Sequence, residues 1–393
     1  MQHDTTTLPQ PDEVSAAHER DVTRFIADRI DEAGGSISFA EYMQHALYAP
    51  GLGYYAAGAT KFGEAGDFVT APEVSALFGR VLARQCAEVL AEIPSGTILE
   101  YGAGSGKLAG DILRMLDELD ALPERYEILE VSADLQERQA TYLAAQVPEL
   151  ISRVVWVDSP PSDHDGVVIA NEVLDALPVE RFRKSREDTE QMRVCLRQGA
   201  FAATWLPAPA RLRERVFEIE SALGEPLPAG YVSEVSLGLP AWVTTLGRSL
   251  QRGFAFLLDY GVSRREYYAP DRADGWLRCH FRHHVHDNPL ILSGIQDLTA
   301  WVDFSAVAEA AAGSGLEIAG YSAQAQFLLG GGLEAEMQNF AELPVSRQVQ
   351  LSGQIKTLTL PAEMGEHFKC IGLRRGSIST PSGFALADRT HTL

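Results

Sequence analysis

The residues of this chain that most plainly carry chemistry stand in one short run, Ile98-Leu99-Glu100-Tyr101-Gly102-Ala103-Gly104-Ser105-Gly106, an apolar stretch passing into alternating glycines. Glycines at a strand-to-helix turn remove the side chains that would keep a ligand away from the backbone. Two cofactor classes exploit the device. A dinucleotide loop has the spacing G-x-G-x-x-G and lays a pyrophosphate on the following helix N-terminus. Here the place of that third glycine is taken by Lys107, the glycines fall as G-x-G-x-G, and Glu100 precedes them. A carboxylate aimed into the loop repels phosphate and suits an ammonium. S-adenosylmethionine carries an ammonium and a sulfonium and no phosphate, so it is the cofactor expected on Glu100, Gly102, Gly104 and Gly106. A tight turn without any ligand also uses glycines, so the loop has to be weighed with its neighbours.

Those neighbours are acidic. Glu130 follows the second apolar run and is placed to accept both ribose hydroxyls, and Asp158 follows the third and is expected to receive the adenine amino group. Nicotinamide enzymes also carry an acid at the second strand, so Glu130 alone does not discriminate. After the fourth run comes Asn171-Glu172-Val173-Leu174-Asp175-Ala176-Leu177-Pro178. In an open parallel sheet the ligand crevice lies beyond the carboxyl ends of the strands, which puts Asn171 and Glu172 at the reactive end of the cofactor. Plain helix capping is the alternative for these residues.

The elements that must position these groups follow from periodicity. From residue 97 onward short apolar runs alternate with helical stretches: strands at 97–100, 126–130, 153–157 and 167–170, with helices to about 119 and 146. That rhythm predicts a parallel sheet covered on both faces. Ahead of it, helices are expected at 19–30 and 38–48, then a glycine-rich aromatic loop, then one long helix over 72–93. Residues 179–206 read as antiparallel strands around a turn at Gln198-Gly199, the start of an inserted lid over 179–236. The alternation resumes with a helix near 241–250, a strand at 254–258, a long loop over 261–299, a helix at 304–312, and closing strands at 316–319 and 368–373. The predicted division is a flexible start (1–18), N-terminal helices with a covering loop (19–96), a core (97–178 with 237–375), the lid (179–236) and a flexible tail (376–393).

Composition narrows the partners. With 393 residues, 46% hydrophobic and 22% charged, the chain is globular and long enough for a core and a cleft. Acidic residues outnumber Lys plus Arg by 54 to 33, a net charge of −21 that repels phosphate backbones and anionic lipid. Nucleic acid is therefore not expected as a partner, and a cationic ligand or basic protein segment is. The four cysteines are scattered, no run reaches the about 18 apolar residues of a membrane span, and the acidic start resembles no leader peptide. The expected location is the cytoplasm of a bacterium.

Beyond the glycine loop, the segments Gly53-Tyr54-Tyr55, Gly66-Asp67-Phe68-Val69-Thr70-Ala71-Pro72-Glu73, Asn171 to Pro178, Asp259-Tyr260-Gly261, His286-Asp287, the run from Gly294 to Phe304, and Gln326-Phe327-Leu328 occur in that order. In this the chain resembles the MidA family of S-adenosylmethionine-dependent methyltransferases over about residues 36–375. The resemblance implies an α/β, Rossmann-like class I methyltransferase sheet with N-terminal helices and an inserted β-rich lid. The family includes a mitochondrial protein-arginine methyltransferase needed for assembling respiratory complex I, so an exposed arginine in a protein substrate is the expected acceptor. The lid matches less cleanly.

A guanidinium has no free lone pair and a pKa above about 12, so carboxylates must orient it. Glu172 is the first candidate, with Asn171 beside it; Asp175 and Glu234 are weaker. The aromatic loop is expected to close over the cofactor with Tyr55, Gly66 and Asp67 near its methionine end. The histidines His280, His283, His284 and His286 raise a metal question, but methyl displacement from a sulfonium needs no Lewis acid, so no metal is expected. Rival readings are a non-catalytic cofactor-binding assembly or scaffold protein, and a methyltransferase acting on lysine or a small molecule. A nicotinamide oxidoreductase is disfavoured by Lys107.

Overall fold

The structure is a computed structural model that describes residues 8–57, 70–186 and 188–393. The chain divides into two compact units: Met1–Phe68 with Asp175–Leu239 and Ser263–Asp303, and Val69–Leu174 with Pro240–Val262 and Phe304–Leu393.

In the first unit the helix Glu13–Glu32 buries Val22, Ile26 and Ile30, one stripe at four-residue spacing. It begins six residues before the expected start at Glu19, because Asp12 caps it by accepting from Ser15 N at 2.9 Å. The helix Phe39–Tyr48 opens with a reciprocal cap: Ser38 Oγ accepts from Glu41 N, and Glu41 Oε2 accepts from Ser38 N at 2.7 Å. Both helices share a core with Met192, Val194, Leu277 and Leu298. An antiparallel sheet runs in the order Ile37–Ser38, Thr189–Arg197, Glu180–Lys184, Val232–Val235, with Ala200–Pro207 paired to Thr189–Arg197. The hairpin turns at Gln198-Gly199, where both residues have positive φ, as the sequence predicts. Two features differ from expectation. The β-rich segment also holds a helix, Ala210–Leu223, and the stretch expected as a long loop over 261–299 contains the strands Leu277–Phe281, His284–His286 and Asp297–Ala300.

The second unit is built on strands β1 (Thr97–Tyr101), β2 (Tyr126–Leu129), β3 (Val154–Val157), β4 (His164–Asn171), β5 (Leu250–Val262), β6 (Glu317–Ala323) and β7 (Phe368–Arg375). Side by side they run β3-β2-β1-β4-β5-β7-β6. The first five are parallel, and β7 is antiparallel to both its neighbours. Chain order therefore reverses between β1 and β4, the switch point where such sheets open a crevice. Val167, Val168 and Ile169 of β4 are all fully buried, so this strand is covered on both faces, as a central parallel strand must be.

The expected single helix over 72–93 is two. Ala71–Val74 ends at Ser75, whose extended backbone (φ −159) lets its hydroxyl cap Ala76–Ala91 by accepting from Leu77 N at 3.2 Å. The tail after Arg375 is polar enough to read as flexible, yet Ile378 and Phe384 are buried. The Phe384 ring packs against Phe254, Phe256 and Phe327, and Gly383 N donates to Gln85 Oε1 at 2.6 Å.

Candidate active site

The carboxyl ends of β1 to β4 carry most of the predicted groups. After β1, Gly102, Gly104 and Gly106 have φ values of 62, 55 and 83. Side chains there would cost about 1–2 kcal/mol each in left-handed strain, which is why the turn is written in glycine. Gly106 is also the N-cap of the helix Lys107–Glu118, so that helix starts at the loop. Glu100 is buried at 2% exposure, and its Oε2 accepts from the Tyr126 hydroxyl at 2.7 Å. Burial pushes its carboxyl up to about 7; the tyrosine bond pulls the other way and the charge of Glu130 adds to the rise.

At the end of β2, Glu130 is buried and accepts from Ser132 N at 2.9 Å and from Gln139 Nε2 at 3.1 Å. The same Gln139 amide donates to Gly104 O at 3.0 Å, and Gln139 Oε1 accepts from Trp156 Nε1 at 2.9 Å. One buried glutamine thus ties the glycine loop, Glu130 and β3 together. Sequence reasoning missed it, since a glutamine within the helix Ala133–Gln146 belongs to no motif. Asp158, just past β3, is exposed.

At the end of β4, Glu172 stands in the left-handed region, φ 54. A non-glycine residue held there points to function sooner than to packing. Its N–H donates to Leu258 O at 2.9 Å, and its Oε1 accepts from Asn171 Nδ2 at 3.3 Å and Ala71 N at 3.4 Å. Asn171 Oδ1 is buried without a protein partner. Asp259, 1% exposed, holds the following turn, its Oδ2 accepting from Val173 N and Leu174 N at 3.2 and 2.8 Å. Only its place in the family pattern singled out this aspartate beforehand.

Several of the remaining predicted residues belong to the first unit. Asp175 is buried and belongs to the first unit, as does Tyr55, whose hydroxyl donates to Asp297 Oδ1 at 2.9 Å. Burial, then the Asp297 charge, pushes that phenol well above its ordinary range. Gly66 and Asp67 lie outside the described residues. Glu234 is fully buried, not lid surface: it pairs with Arg181 Nε at 2.9 Å and accepts from Trp276 N at 2.7 Å. His280 and His286 lie on the hairpin Leu277–Phe281 and His284–His286, where burial lowers the His280 imidazole to about 4. No group of three or more His, Cys, Asp or Glu side chains is gathered as a metal site among the described residues.

Comparison with known proteins settles the class. Residues 81–322 match the model of a family of S-adenosyl-L-methionine-dependent methyltransferases. The chain belongs to this methyltransferase family. It is 30% identical to the protein arginine methyltransferase NDUFAF7 homolog of Drosophila melanogaster, over 88% of this chain and 83% of that one. Human protein arginine methyltransferase NDUFAF7 is also 30% identical, over 86% of this chain and 80% of its own length. A crystal structure from Burkholderia thailandensis bound to S-adenosyl-homocysteine is similar with a TM-score of 0.92 and 40% identity, covering 98% of this chain and 100% of that chain.

As a member of this family the methyltransferase depends on S-adenosylmethionine, which supplies an electrophilic methyl on a sulfonium. The residues present fit such a group. The loop is bare at three glycines, an alanine methyl at Gly102 would meet only Val173 Cγ2 at 3.6 Å among atoms within contact range, and the buried Asn171 Oδ1 awaits a donor. No helix among the described residues is long and apolar enough to cross a membrane.

Proposed function

We propose that this methyltransferase acts on an arginine in a protein substrate, with Glu172 holding the acceptor guanidinium. The observation that carries the reading is the left-handed Glu172 at the end of β4, its carboxylate facing the neutral donors Asn171 Nδ2 and Ala71 N. A carboxylate beside the acceptor localises guanidinium charge on the nitrogens it touches and leaves the attacking nitrogen richer in electrons. The methyl moves from sulfur to that nitrogen, which then loses its proton; the methylated guanidinium stays cationic. The relatives named as protein arginine methyltransferases support this acceptor. On the cofactor side, the reading assigns the methionine ammonium to Glu100, the ribose hydroxyls to Glu130, the adenine amino group to Asp158, and a further contact to Asn171, around Gly102, Gly104 and Gly106.

The test is mass spectrometry of the proteome of a deletion strain, searching for a lost methyl mark, followed by complementation with Glu172→Gln. That variant keeps the shape and removes the charge. It should bind S-adenosyl-homocysteine within a few fold of wild type and transfer methyl on the order of 100-fold more slowly. A mark lost from lysine or a small molecule would refute the arginine assignment, and cofactor binding without any turnover would favour a scaffold.

A further inference from the structure

Lys107 occupies the place at which a dinucleotide loop carries its third glycine. Its side chain turns back onto the short helix Ala71–Val74, where Nζ donates to Pro72 O and, at 3.4 Å, to Glu73 O. Ala71 O accepts from Ser75 N, but the last carbonyls of a helix have no intrahelical partner, and an ammonium is a suitable cap for Pro72 O and Glu73 O. Lys107 is at the same time the first residue of its own helix, where a cation opposes the helix dipole. Its placement is therefore accounted for by what it reaches, not by the helix it begins.

A second contact lies alongside. Ser105 Oγ, within the glycine loop, donates to Glu73 Oε1 at 2.5 Å. From the other end of the same segment, Ala71 N donates to Glu172 Oε1 at 3.4 Å, the oxygen that also accepts from Asn171 Nδ2. Residues 71–73 are thus joined to the glycine loop by two side chains and to the end of β4 by a backbone amide, all within the second unit.

We propose that Lys107 is a positioning residue for methyl transfer: together with Ser105 it clamps residues 71–73 to the glycine loop, and the clamped Ala71 amide sets the direction of the Glu172 carboxylate. The inference rests on the reading of Glu172 as the group that holds the acceptor. It couples the cofactor loop to the acceptor side of the site through a segment that itself contributes only an amide.

The test compares wild type, Lys107→Met, Lys107→Arg, Glu172→Gln and the double variant K107M/E172Q. Three quantities are read: S-adenosyl-homocysteine affinity by calorimetry, hydrogen exchange of the peptide spanning residues 70–76, and the initial rate of methyl transfer from tritiated S-adenosylmethionine into deletion-strain extract at saturating cofactor. K107M should keep the dissociation constant within about threefold, exchange at the Ala71 amide about tenfold faster, and transfer about tenfold more slowly, with Lys107→Arg restoring most of the rate. Because the clamp acts through Glu172, the double variant should be no slower than E172Q alone. Multiplying losses, or cofactor affinity falling as far as the rate, would overturn the clamp. Full transfer by E172Q would overturn the acceptor reading, whereas an impaired E172Q beside an unimpaired K107M would overturn the clamp alone. Ser105→Ala removes the other half of the clamp and is measured in the same way, so the inference stays refutable if K107M does not fold.

Discussion

Replacing Glu100 with glutamine should stabilise the protein in mildly alkaline buffer and leave it almost unchanged in acid. The carboxyl is buried at 2% exposure, and burial is the leading reason it titrates at about 7 instead of 4.5. Between those two values the folded chain keeps a proton that the unfolded chain has released. Unfolding then releases a proton, so stability falls as pH rises across this window; the penalty is absent below the unfolded value and complete above the folded one. At ~1.4 kcal/mol per pH unit, the gap from 4.5 to about 7 makes the full penalty about 3 kcal/mol. The substituted amide would keep an oxygen for the Tyr126 hydroxyl and carry no charge at any pH in the range. Urea denaturation of wild type and Glu100→Gln, at steps from about pH 4.5 to about pH 8, should show two curves that start together and separate by about 3 kcal/mol in favour of the variant. Curves that stay parallel, or a wild type that gains on the variant as pH rises, would refute the reasoning.

The same titration reaches the cofactor. On the proposed placement, a methionine ammonium beside Glu100 favours the ionised carboxylate, so binding at a pH just below the folded value should release a proton from wild type and none from Glu100→Gln. Calorimetry in two buffers of different ionisation enthalpy measures that proton directly. Proton uptake would place the ammonium elsewhere.

Gln139→Leu should cost roughly 3 kcal/mol or more, because Gly104 O, Glu130 Oε2 and Trp156 Nε1 each lose a buried partner at roughly 1–3 kcal/mol apiece; chemical denaturation checks it, and a loss under about 1 kcal/mol would deny the glutamine its role as a hub. Gly102→Ala should cost about 1–2 kcal/mol from left-handed strain and weaken S-adenosyl-homocysteine binding, so wild-type affinity by calorimetry would contradict a close approach of ligand to this loop. Phe384→Ala should destabilise by about 3–5 kcal/mol in thermal or urea melts, as expected for a ring buried among Phe254, Phe256 and Phe327. An unchanged midpoint would mean the tail does not pack.

What the sequence made legible is what periodicity and glycine encode. The strands β1, β2 and β4 are apolar runs flanked by turn residues, and the acids Glu100 and Glu130 and the Asn171-Glu172 pair fall near their carboxyl ends, the side on which a parallel sheet opens a crevice. What escaped depends on partners distant in the chain. Gln139 acts through Gly104, Glu130 and Trp156, none of which its own helix announces. The strands within 261–299 are three to five residues long, too short for alternation to show against the intervening Gly and Pro. The tail read as loose because its composition is polar, whereas two apolar residues, Ile378 and Phe384, suffice to seat it. Asp175 ranks below Glu172 because a residue in that run can face a helix interior, and it is buried.

The strongest physical sign of a working site is that local irregularities gather at the ends of two neighbouring strands. Other left-handed non-glycine residues, such as Ser95, Asp120 and Gln198, sit in surface turns where the chain simply reverses. Glu172 does not: it directly follows β4, pinned through its own amide to Leu258 O, with Asp259 fixing the next two residues. One residue before it, Asn171 Oδ1 is buried without a partner, a state worth about 1–3 kcal/mol of stability. Across the β1–β4 pairing, Glu100 is buried beside Ile169 with its carboxyl held up to about 7. A fold shaped for stability alone would place glycine or asparagine at 172 and an apolar residue at 100. Each departure raises the energy of the ligand-free protein, and two are of a kind that a ligand can offset: a donor for Asn171 and a cation for Glu100. All three departures lie where strand order reverses, in a methyltransferase whose cofactor carries both donors and positive charge. On the reading proposed above, the irregularities at Asn171 and Glu100 are preorganisation for a cationic cofactor, and Glu172 is held for a cationic acceptor.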